Sequence, residues 1–201
     1  MLEWQYDPQY GLVAGVDEAG RGCLSGPVVA AAVILPQDWF TALLNDSKQV
    51  KESQRLILET EIKANALAWA VGIASPREIE EVNILRATYL AMHRAINLLK
   101  IKADTLFIDG NRFNKLADFQ HLCHIKGDGR FACIAAASIL AKTERDRIMQ
   151  QLHLEYPHYN WSQNKGYPTL DHREAIRNHG DCIHHRKTFN LLPPDKQLEL
   201  F

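Results

Sequence analysis

Two short apolar runs near the N-terminus enclose a pair of adjacent carboxylates, and this arrangement limits the folds available to the chain. Residues 12–16 and 28–35 are apolar and are bounded by glycine and proline. Such runs are typical of strands that are buried on both faces of a sheet. Asp17 and Glu18 follow the first run directly. Because burying a charge is costly unless an opposite charge lies beside it, the sequence predicts a cation at the end of a core strand.

The residues alone leave three interpretations of this stretch open. Arg21 would form a structural ion pair with the carboxylates, and the glycines around it would then serve a tight turn. A hard divalent metal would bind the same oxygens, provided that further acids come from elsewhere in the chain. A nucleotide-binding loop is the third interpretation, since Gly20, Gly22 and Gly26 approach the dinucleotide fingerprint. However, the last glycine comes one residue late, and Pro27 leads into a β-branched run where that fingerprint requires a helix.

Composition is that of an ordinary folded protein. The 201 residues suit one domain, with 46% hydrophobic and 23% charged residues. The net charge of −1 does not indicate a polyanion partner, so a nucleic-acid interface would need a local basic patch. Four scattered cysteines, the absence of a signal peptide and the lack of a membrane-spanning segment predict a soluble cytoplasmic protein with free thiols.

The remaining pattern predicts a mixed β-sheet with helices on its faces. After the first two strands, the predicted elements are a helix capped by Ser53, a strand over 67–73, a helix begun by Ser75, Pro76 and Glu78, a helical core face of Leu85, Tyr89, Met92, Ile96 and Leu99, a strand over 105–108, a short strand over 123–126, and a helix with a small-residue face from Phe131 to about Leu154. The stretch 111–123 has no assigned role.

Further acids follow predicted strands or glycines. Asp109 ends a predicted strand, and Asp128 lies between two glycines. If both lie at one edge of the sheet with Asp17 and Glu18, the charges repel each other unless cations neutralise them. Two divalent ions roughly 4 Å apart would do so and would act together on a phosphodiester. Asp146 lies between two arginines on the long helix and is predicted to form structural ion pairs.

The opening motif resembles that of a known nuclease family, ribonuclease HII, the type 2 ribonuclease H. The residues that carry the resemblance are Asp17-Glu18-Ala19-Gly20-Arg21-Gly22 and Gly26-Pro27-Val28-Val29-Ala30-Ala31. The likeness extends over roughly residues 12–190. It implies an α/β ribonuclease H-like fold, with a mixed β-sheet flanked by helices and a helical C-terminal region. It also implies an endoribonuclease that uses Mn²⁺ or Mg²⁺ to cut the RNA strand of RNA/DNA hybrids and to cut 5′ to single ribonucleotides in duplex DNA, leaving 3′-hydroxyl and 5′-phosphate ends.

The resemblance assigns roles to the acids and to the loop beside them. It implies that Asp17, Glu18, Asp109 and Asp128 are the catalytic residues and bind the metal ions. Asp128 lies in a loop, where an acid can instead orient water. The Gly20-Arg21-Gly22 loop is implied to read the ribose, because glycine backbone can approach a 2′-hydroxyl closely.

Further substrate contacts are implied at Lys48, Ser138, Lys142 and Tyr167. Ser138 and Lys142 lie four residues apart on one helix face, from which both would contact phosphate. The Tyr167 ring would pack on the sugar next to the ribonucleotide and favour an RNA-to-DNA junction, unless it only fills its loop. Lys48 would otherwise be a solvated lysine at a helix end.

The last residues are predicted to form a tail. We expect residues 1–190 to be the catalytic domain and 191–201 to project from it. Gln197, Leu198, Leu200 and Phe201 resemble the short peptide by which bacterial replication proteins bind the sliding clamp. The alternative is that these side chains pack on the protein's own core or fray. The expected partners are therefore RNA/DNA hybrid, ribonucleotide-containing duplex DNA and the clamp, with no membrane and with a monomeric chain.

Two other functions remain open. One is another carboxylate nuclease of the same fold, which the Gly-Arg-Gly loop beside the acid pair disfavours. The other is a hybrid-binding module with a degenerate site, which the intact acids disfavour. After Pro157, aromatic residues and histidines mix with lysine and arginine, a pattern that suits nucleic acid. The histidines show no four-ligand spacing typical of zinc.

Overall fold

The computed structural model describes residues 2–4, 6–44, 50–116 and 119–192, which form a five-stranded sheet with helices on both faces. The strands are β1 (Val13–Ala19), β2 (Val28–Ile34), β3 (Ala68–Ala74), β4 (Thr105–Asp109) and β5 (Gln120–His124). The α-helices are α1 (Glu52–Asn65), α2 (Pro76–Val82), α3 (Ile84–Asn97), α4 (Ala132–Glu155), α5 (Trp161–Asn164) and α6 (Leu170–His179). The predicted mixed α/β architecture with a helical C-terminal region is confirmed.

The strand order β3-β2-β1-β4-β5 places the ends of β1 and β4 side by side. β1 pairs with β2 in antiparallel fashion and with β4 in parallel fashion. In the parallel pair, Val16 lies opposite Ile108, so the next residue of each strand, Asp17 and Asp109, lies at the same edge. The topology therefore brings together two acids that are far apart in sequence.

β2 is buried along its whole length because its side chains alternate between two cores. One core, shared with α2 and α3, takes Val28, Ala30, Ala32 and Ile34. The other, shared with α1 and α4, takes Ala31 and Val33. Each fully buried valine or isoleucine contributes on the order of 1.5–3 kcal/mol to folding. The free energy gained from this burial therefore offsets the cost of placing charged groups at the ends of the central strands.

Small residues let α4 lie close to β1. An added Cβ at Gly15 would lie 2.1 Å from the carbonyl carbon of Cys133, so no larger residue fits there without movement. The facing side of α4 is rich in buried alanines, namely Ala132, Ala135, Ala136, Ala137 and Ala141. This close packing brings Ser138, also on α4, to the acidic end of β1.

The C-terminal helices form a separate small core beside the loop between β1 and β2. Leu24 of that loop packs with Met149 of α4 and with Trp161 of α5. Ile176 of α6 belongs to the same cluster. The loop that follows the two N-terminal acids is therefore held by three helices of the C-terminal half.

Two local predictions are corrected. Helix α1 begins at Glu52 rather than after Ser53, because the Gln54 side chain accepts a hydrogen bond from the Lys51 backbone at 3.3 Å. The fifth strand is Gln120–His124 rather than 123–126, since Lys126 has left-handed backbone with φ 56° and ends the extended run. By contrast, the predicted capping box at Ser75 is confirmed, with hydrogen bonds of 3.2 and 2.9 Å to Glu78.

Within the described ranges, no helix combines the length and the apolar character that crossing a bilayer requires.

Candidate active site

Three carboxylates lie close together at one edge of the sheet. Asp17 and Glu18 lie near the C-terminal end of β1, and Asp109 is the last residue of β4. Asp17 is only 5% exposed. Burial, then the charges of Glu18 and Asp109, raise the pKa of the Asp17 carboxyl well above its ordinary range. Burial also raises the pKa of Glu18, although Arg21 partly offsets the effect. The edge is therefore a site of concentrated and unfavourable negative charge.

Asp128 joins this edge through the short helical turn Gly127–Gly129. The Gly127 backbone N–H donates to Asp109 Oδ1 at 2.7 Å, which ties the turn to the end of β4. Asp128 is buried, with 2% of its surface exposed. The fold thus brings all four sequence-predicted acids to one region, and their roles stay a prediction.

The four acids offer only carboxylate oxygens, which suit Mg²⁺ or Mn²⁺. The mutual repulsion of Asp17, Glu18 and Asp109 is what a divalent cation would relieve. Among the residues that the structure describes, however, no three acidic, histidine or cysteine side chains form a ready-made metal cage. The site therefore suits an ion that one or two carboxylates bind. Water and phosphate oxygens would complete the coordination shell of that ion.

The ion pair considered from the sequence is also present. Arg21 Nη1 lies 3.1 Å from Glu18 Oε1, and the Arg21 side chain is half exposed. Exposed pairs of this kind contribute about 0–1 kcal/mol, which is less than the penalty for crowding several buried carboxylates. Arg21 thus accompanies the acidic edge without neutralising it.

Ser138 contacts a carboxylate, whereas we expected a phosphate contact. Its hydroxyl hydrogen-bonds to Asp17, which lowers the pKa of Asp17 against the larger effect of burial. Ser138 is fully buried on α4. Its observed contact therefore orients one of the four predicted acids, and the expected phosphate contact stays a prediction.

Lys142, one turn further along α4, is half-buried and lines a cavity of about 350 Å³ beside the acidic edge. The cavity is lined by Ala19, Gly20, Glu52, Arg55, Lys142, Arg145, Asp146, Gln163, Lys165 and Tyr167. Asp146 pairs with Arg55 of α1 at 3.3 Å, so the predicted ion pairs with its sequence neighbours are wrong. The cavity combines an exposed ring with four cations, two of which pair with the carboxylates that also line it: Lys165 with Glu52 at 3.5 Å and Arg55 with Asp146. Lysines beside an exposed ring suit a nucleic-acid backbone.

Arg186 holds the loop between β1 and β2 in place. This guanidinium is fully buried and donates to four backbone carbonyls: Gly20 at 2.7 Å, Arg21 at 3.0 Å, Gly26 at 2.8 and 3.0 Å, and Pro27 at 3.2 Å. Burial lowers the pKa of Arg186 to about 10, so the side chain stays charged at neutral pH. The rigid fork of a guanidinium fixes the position of every carbonyl that it contacts.

Arg145 of α4 ties the same loop to a second one. It donates to Pro27 O at 3.1 Å, to Ser25 O at 3.0 Å and to Lys165 O at 2.8 Å. Gly20 has φ +94°, and an added Cβ would lie 2.0 Å from Arg145 Nε. The first glycine of the Gly-Arg-Gly motif is therefore required both by its backbone conformation and by the close approach of this arginine.

Tyr167 lies at the rim of the cavity on the second loop. Lys165 and Gly166 before it both have left-handed backbone, with φ 51° and 80°. The Gly166 carbonyl accepts a hydrogen bond from Leu24 N at 2.8 Å, which joins the two loops directly. The Tyr167 side chain remains half exposed at 49%. The predicted contact residue is thus presented to solvent at the cavity that Gly20 also lines.

Several residues of the site were not found from the sequence. Arg145 and Arg186 donate to carbonyls of the 20–27 loop, which lies more than 100 residues away from them in the sequence. No local motif marks such a contact.

The predicted contact residue Lys48 and the tail residues Gln197, Leu198, Leu200 and Phe201 lie outside the described residues.

Comparison with known proteins identifies a family. A family model described as Ribonuclease HII matches residues 14–191. The chain is 62% identical over 187 residues to the Ribonuclease HII of Bacteroides thetaiotaomicron, with 93% of each chain covered. It is 60% identical over 187 residues to the Ribonuclease HII of Phocaeicola vulgatus, again with 93% of each covered.

Solved structures share the fold. The ribonuclease H2 of Pyrococcus horikoshii superposes with a TM-score of 0.73 at 27% identity, covering 89% of this chain and 94% of that one. The RNase HII in a PCNA complex from Archaeoglobus fulgidus gives 0.73 at 24% identity, covering 94% and 100%. A Bst-RNase HIII in complex with Mn²⁺ gives 0.70 at 17% identity, covering 90% and 67%.

Replacing Arg186 by lysine should destabilise the protein. An ammonium cannot reproduce the fork, so at least one buried carbonyl loses its partner, at a cost of about 1–3 kcal/mol in the free energy of unfolding. Urea unfolding measures this cost. The control is Arg173→Lys, since Arg173 also donates to backbone carbonyls but does so at residues 190 and 191. Equal losses in the two variants would contradict a special demand for the guanidinium beneath the loop.

Proposed function

Because the chain belongs to the ribonuclease HII family of metal-dependent ribonucleases, we propose that it cuts 5′ to single ribonucleotides embedded in duplex DNA and also cleaves the RNA strand of RNA/DNA hybrids. The products would carry 3′-hydroxyl and 5′-phosphate ends. The observation that carries the proposal is one cavity that begins at Ala19, directly after the Asp17-Glu18 pair, and that is also lined by Gly20 of the Gly-Arg-Gly loop and by the exposed Tyr167.

The acids would hold the scissile phosphate through divalent metal. Asp17, Glu18, Asp109 and Asp128 are the proposed ligands, with Mg²⁺ or Mn²⁺ as the ion. Two such ions would supply an activated water and stabilise the leaving oxygen. The protein's own contribution is orientation: Gly127 N–H fixes the Asp109 carboxylate at 2.7 Å. The Ser138 hydroxyl does the same for Asp17.

The Gly-Arg-Gly loop would read the ribose. Arg186 already occupies the carbonyls of Gly20 and Arg21, so a substrate would meet the opposite side of the loop. Gly22 in the same loop is exposed, and an added Cβ there meets nothing within 4 Å. The space at Gly22 would admit a sugar edge, and backbone groups there would contact its 2′-hydroxyl.

Tyr167 would recognise the sugar that follows the ribonucleotide. Its ring is exposed at the cavity rim, where a deoxyribose can pack on it. A 2′-hydroxyl on that sugar would be crowded, which favours an RNA-to-DNA junction over continuous RNA. Lys142 and Lys165, in the same cavity, would pair with phosphates, and Lys48 is proposed as a further substrate contact.

The C-terminal tail is proposed to bind a sliding clamp. Leu198, Leu200 and Phe201 would enter an apolar pocket, and Gln197 would supply a directed hydrogen bond. A protein of the same fold, the RNase HII of Archaeoglobus fulgidus, is described in complex with PCNA. The two highly identical relatives, of Bacteroides thetaiotaomicron and Phocaeicola vulgatus, are bacterial, and bacterial DNA lies in the cytoplasm, so the proposed substrate would be met there.

Neutralising one acid tests the metal site. Asp17→Asn and Asp109→Asn should each lower cleavage by a factor on the order of 10³ or more, because each removes a charged ligand worth several kcal/mol in the transition state. Glu18→Gln should behave in the same way, and Asp128→Asn should lose less and recover partly with Mn²⁺. The thermal midpoint of Asp17→Asn should not fall, since a crowded buried charge is removed.

The matched control for these variants is Asp104→Asn. Asp104 lies just before β4, at the end opposite Asp109, and its Oδ2 accepts a hydrogen bond from Leu12 N at 2.8 Å. An amide oxygen can accept the same bond, so cleavage should stay near that of the wild type. Near wild-type cleavage by Asp17→Asn or Asp109→Asn would remove the metal assignment.

Replacing Tyr167 tests junction recognition. Tyr167→Ala should lose about ten- to a hundredfold more activity on a single embedded ribonucleotide than on a long hybrid, because a lost stacking contact is worth about 1–3 kcal/mol. Tyr167→Phe keeps the ring and should retain the preference of the wild type. Steady-state cleavage of both substrates gives the ratio. Equal losses on the two substrates would mean that the ring only shapes its loop.

Deleting residues 197–201 tests the tail. Cleavage of free oligonucleotides should be unchanged, while binding to the clamp of the same bacterium, measured by calorimetry, should be lost. Glu199→Gln keeps every apolar anchor and is the control that should still bind. Clamp binding by the truncated chain, or loss of its folding, would show that the tail has another role.

A further inference from the structure

A buried chain of hydrogen bonds links two histidines to the loop that carries Tyr167. His172 lies in the first turn of α6, and His185 follows that helix; both are essentially inaccessible to solvent. The Nε2 atoms of the two rings lie 3.2 Å apart. Trp161 Nε1 lies 3.0 Å from His172 Nε2, and His172 Nδ1 lies 2.9 Å from the carbonyl oxygen of Tyr167.

The partners of His172 determine where its proton lies. A carbonyl oxygen only accepts, so Nδ1 must carry the hydrogen that is donated to Tyr167 O. An indole N–H only donates, so Nε2 must be the acceptor for Trp161. His172 is therefore neutral and in the Nδ1–H form, in agreement with burial, which lowers its pKa.

His185 is fixed in the opposite form. The Cys182 backbone N–H donates to its Nδ1 at 3.0 Å, so the hydrogen of the neutral ring is on Nε2. That hydrogen faces His172 Nε2 at 3.2 Å and shares its one lone pair with the closer Trp161 N–H at 3.0 Å. Burial, then the neighbouring His172, lowers the pKa of His185 to about 4, so this arrangement persists at neutral pH. The chain thus runs in one direction, from Cys182 through both rings to the Tyr167 carbonyl.

The Tyr167 carbonyl is held at two points. Thr169 N–H donates to it at 2.8 Å, and His172 Nδ1–H donates at 2.9 Å. Thr169 also caps α6, because its hydroxyl accepts from His172 N at 3.2 Å. The backbone of Tyr167 and the first turn of α6 therefore move as one unit, while the ring remains half exposed at the cavity rim.

We propose that His172 is a positioning residue for junction recognition: its Nδ1–H holds the Tyr167 backbone so that the exposed ring meets the sugar after the ribonucleotide. This rests on the role proposed above for Tyr167. His172 touches no substrate and acts only through the Tyr167 carbonyl. His185 and Trp161 hold the His172 ring in the required form.

Two substitutions of similar size separate positioning from packing. The amide nitrogen of asparagine can take the place of Nδ1, whereas that of glutamine takes the place of Nε2 and leaves Tyr167 O without this donor. The readout is the ratio of kcat/KM on a duplex with one ribonucleotide to kcat/KM on a long hybrid. His172→Gln should lower this ratio by about three- to tenfold, which corresponds to one hydrogen bond. His172→Asn should keep the ratio of the wild type, although both variants lower the thermal midpoint.

The Tyr167→Ala variant, measured in parallel, separates the two proposals. If the ratio is unchanged in His172→Gln but lowered in Tyr167→Ala, the role of His172 is overturned and the role of Tyr167 stands. Equal reductions in His172→Gln and His172→Asn would also overturn it, because general packing would then be the cause. An unchanged ratio in Tyr167→Ala would overturn the role proposed for Tyr167, and the His172 proposal with it.

A measurement on the wild-type protein covers the case in which the glutamine variant does not fold. The ¹⁵N resonances of the two imidazole rings report which nitrogen carries the proton. The proposal predicts the Nδ1–H form for His172 and the Nε2–H form for His185. A His172 ring protonated on Nε2 would have no hydrogen to donate to Tyr167 O, which would overturn the proposal.

Discussion

Two buried guanidinium groups hold the loops around the acidic edge in place. Arg145 and Arg186 lie under the 20–27 loop, and both donate to its backbone carbonyls. A buried cation of this kind is stable only when its donors are satisfied, and here carbonyl oxygens satisfy them. The cost of moving either loop is therefore high, since any shift leaves a charge or a carbonyl without its partner. The rigidity of the site follows from this constraint.

The same two guanidinium groups bind backbone carbonyls rather than the acids. The carboxylates gather at the ends of β1 and β4, while the two guanidinium groups lie beneath the loop that follows β1. The arginines do not neutralise Asp17, the pKa of which burial and its acidic neighbours keep high. The acidic edge thus still requires an added cation, whereas the arginines hold the loop in its conformation without one.

Much of the fold could be predicted because local patterns determine it. The apolar runs of β1 and β2, the capping box at Ser75 and the small-residue face of α4 are each visible in a few neighbouring residues. Predictions failed where a tertiary contact decided the outcome. The strand β5 begins at Gln120 because it pairs with Thr105, a partner that local propensity does not reveal.

The residues of the candidate site likewise divide into those that the sequence reveals and those that it does not. The Asp-Glu pair, Asp109 and Asp128 stand out in the sequence because acids after apolar runs or between glycines are locally unusual. Arg145, Arg186 and His172 do not stand out, since their partners are distant in sequence or are backbone atoms. Ser138 was recognised as part of the site, but its contact with Asp17 could be seen only once α4 was placed on β1.

The measurement that tests the account most directly is cleavage of a DNA duplex that contains one ribonucleotide, with the product ends mapped. The account predicts a single metal-dependent cut on the 5′ side of the ribonucleotide, with a 3′-hydroxyl on the DNA and a 5′-phosphate on the ribonucleotide. Cleavage that persists in a chelator would contradict it. A duplex left intact at the ribonucleotide, under conditions in which a long hybrid is degraded, would contradict it as well.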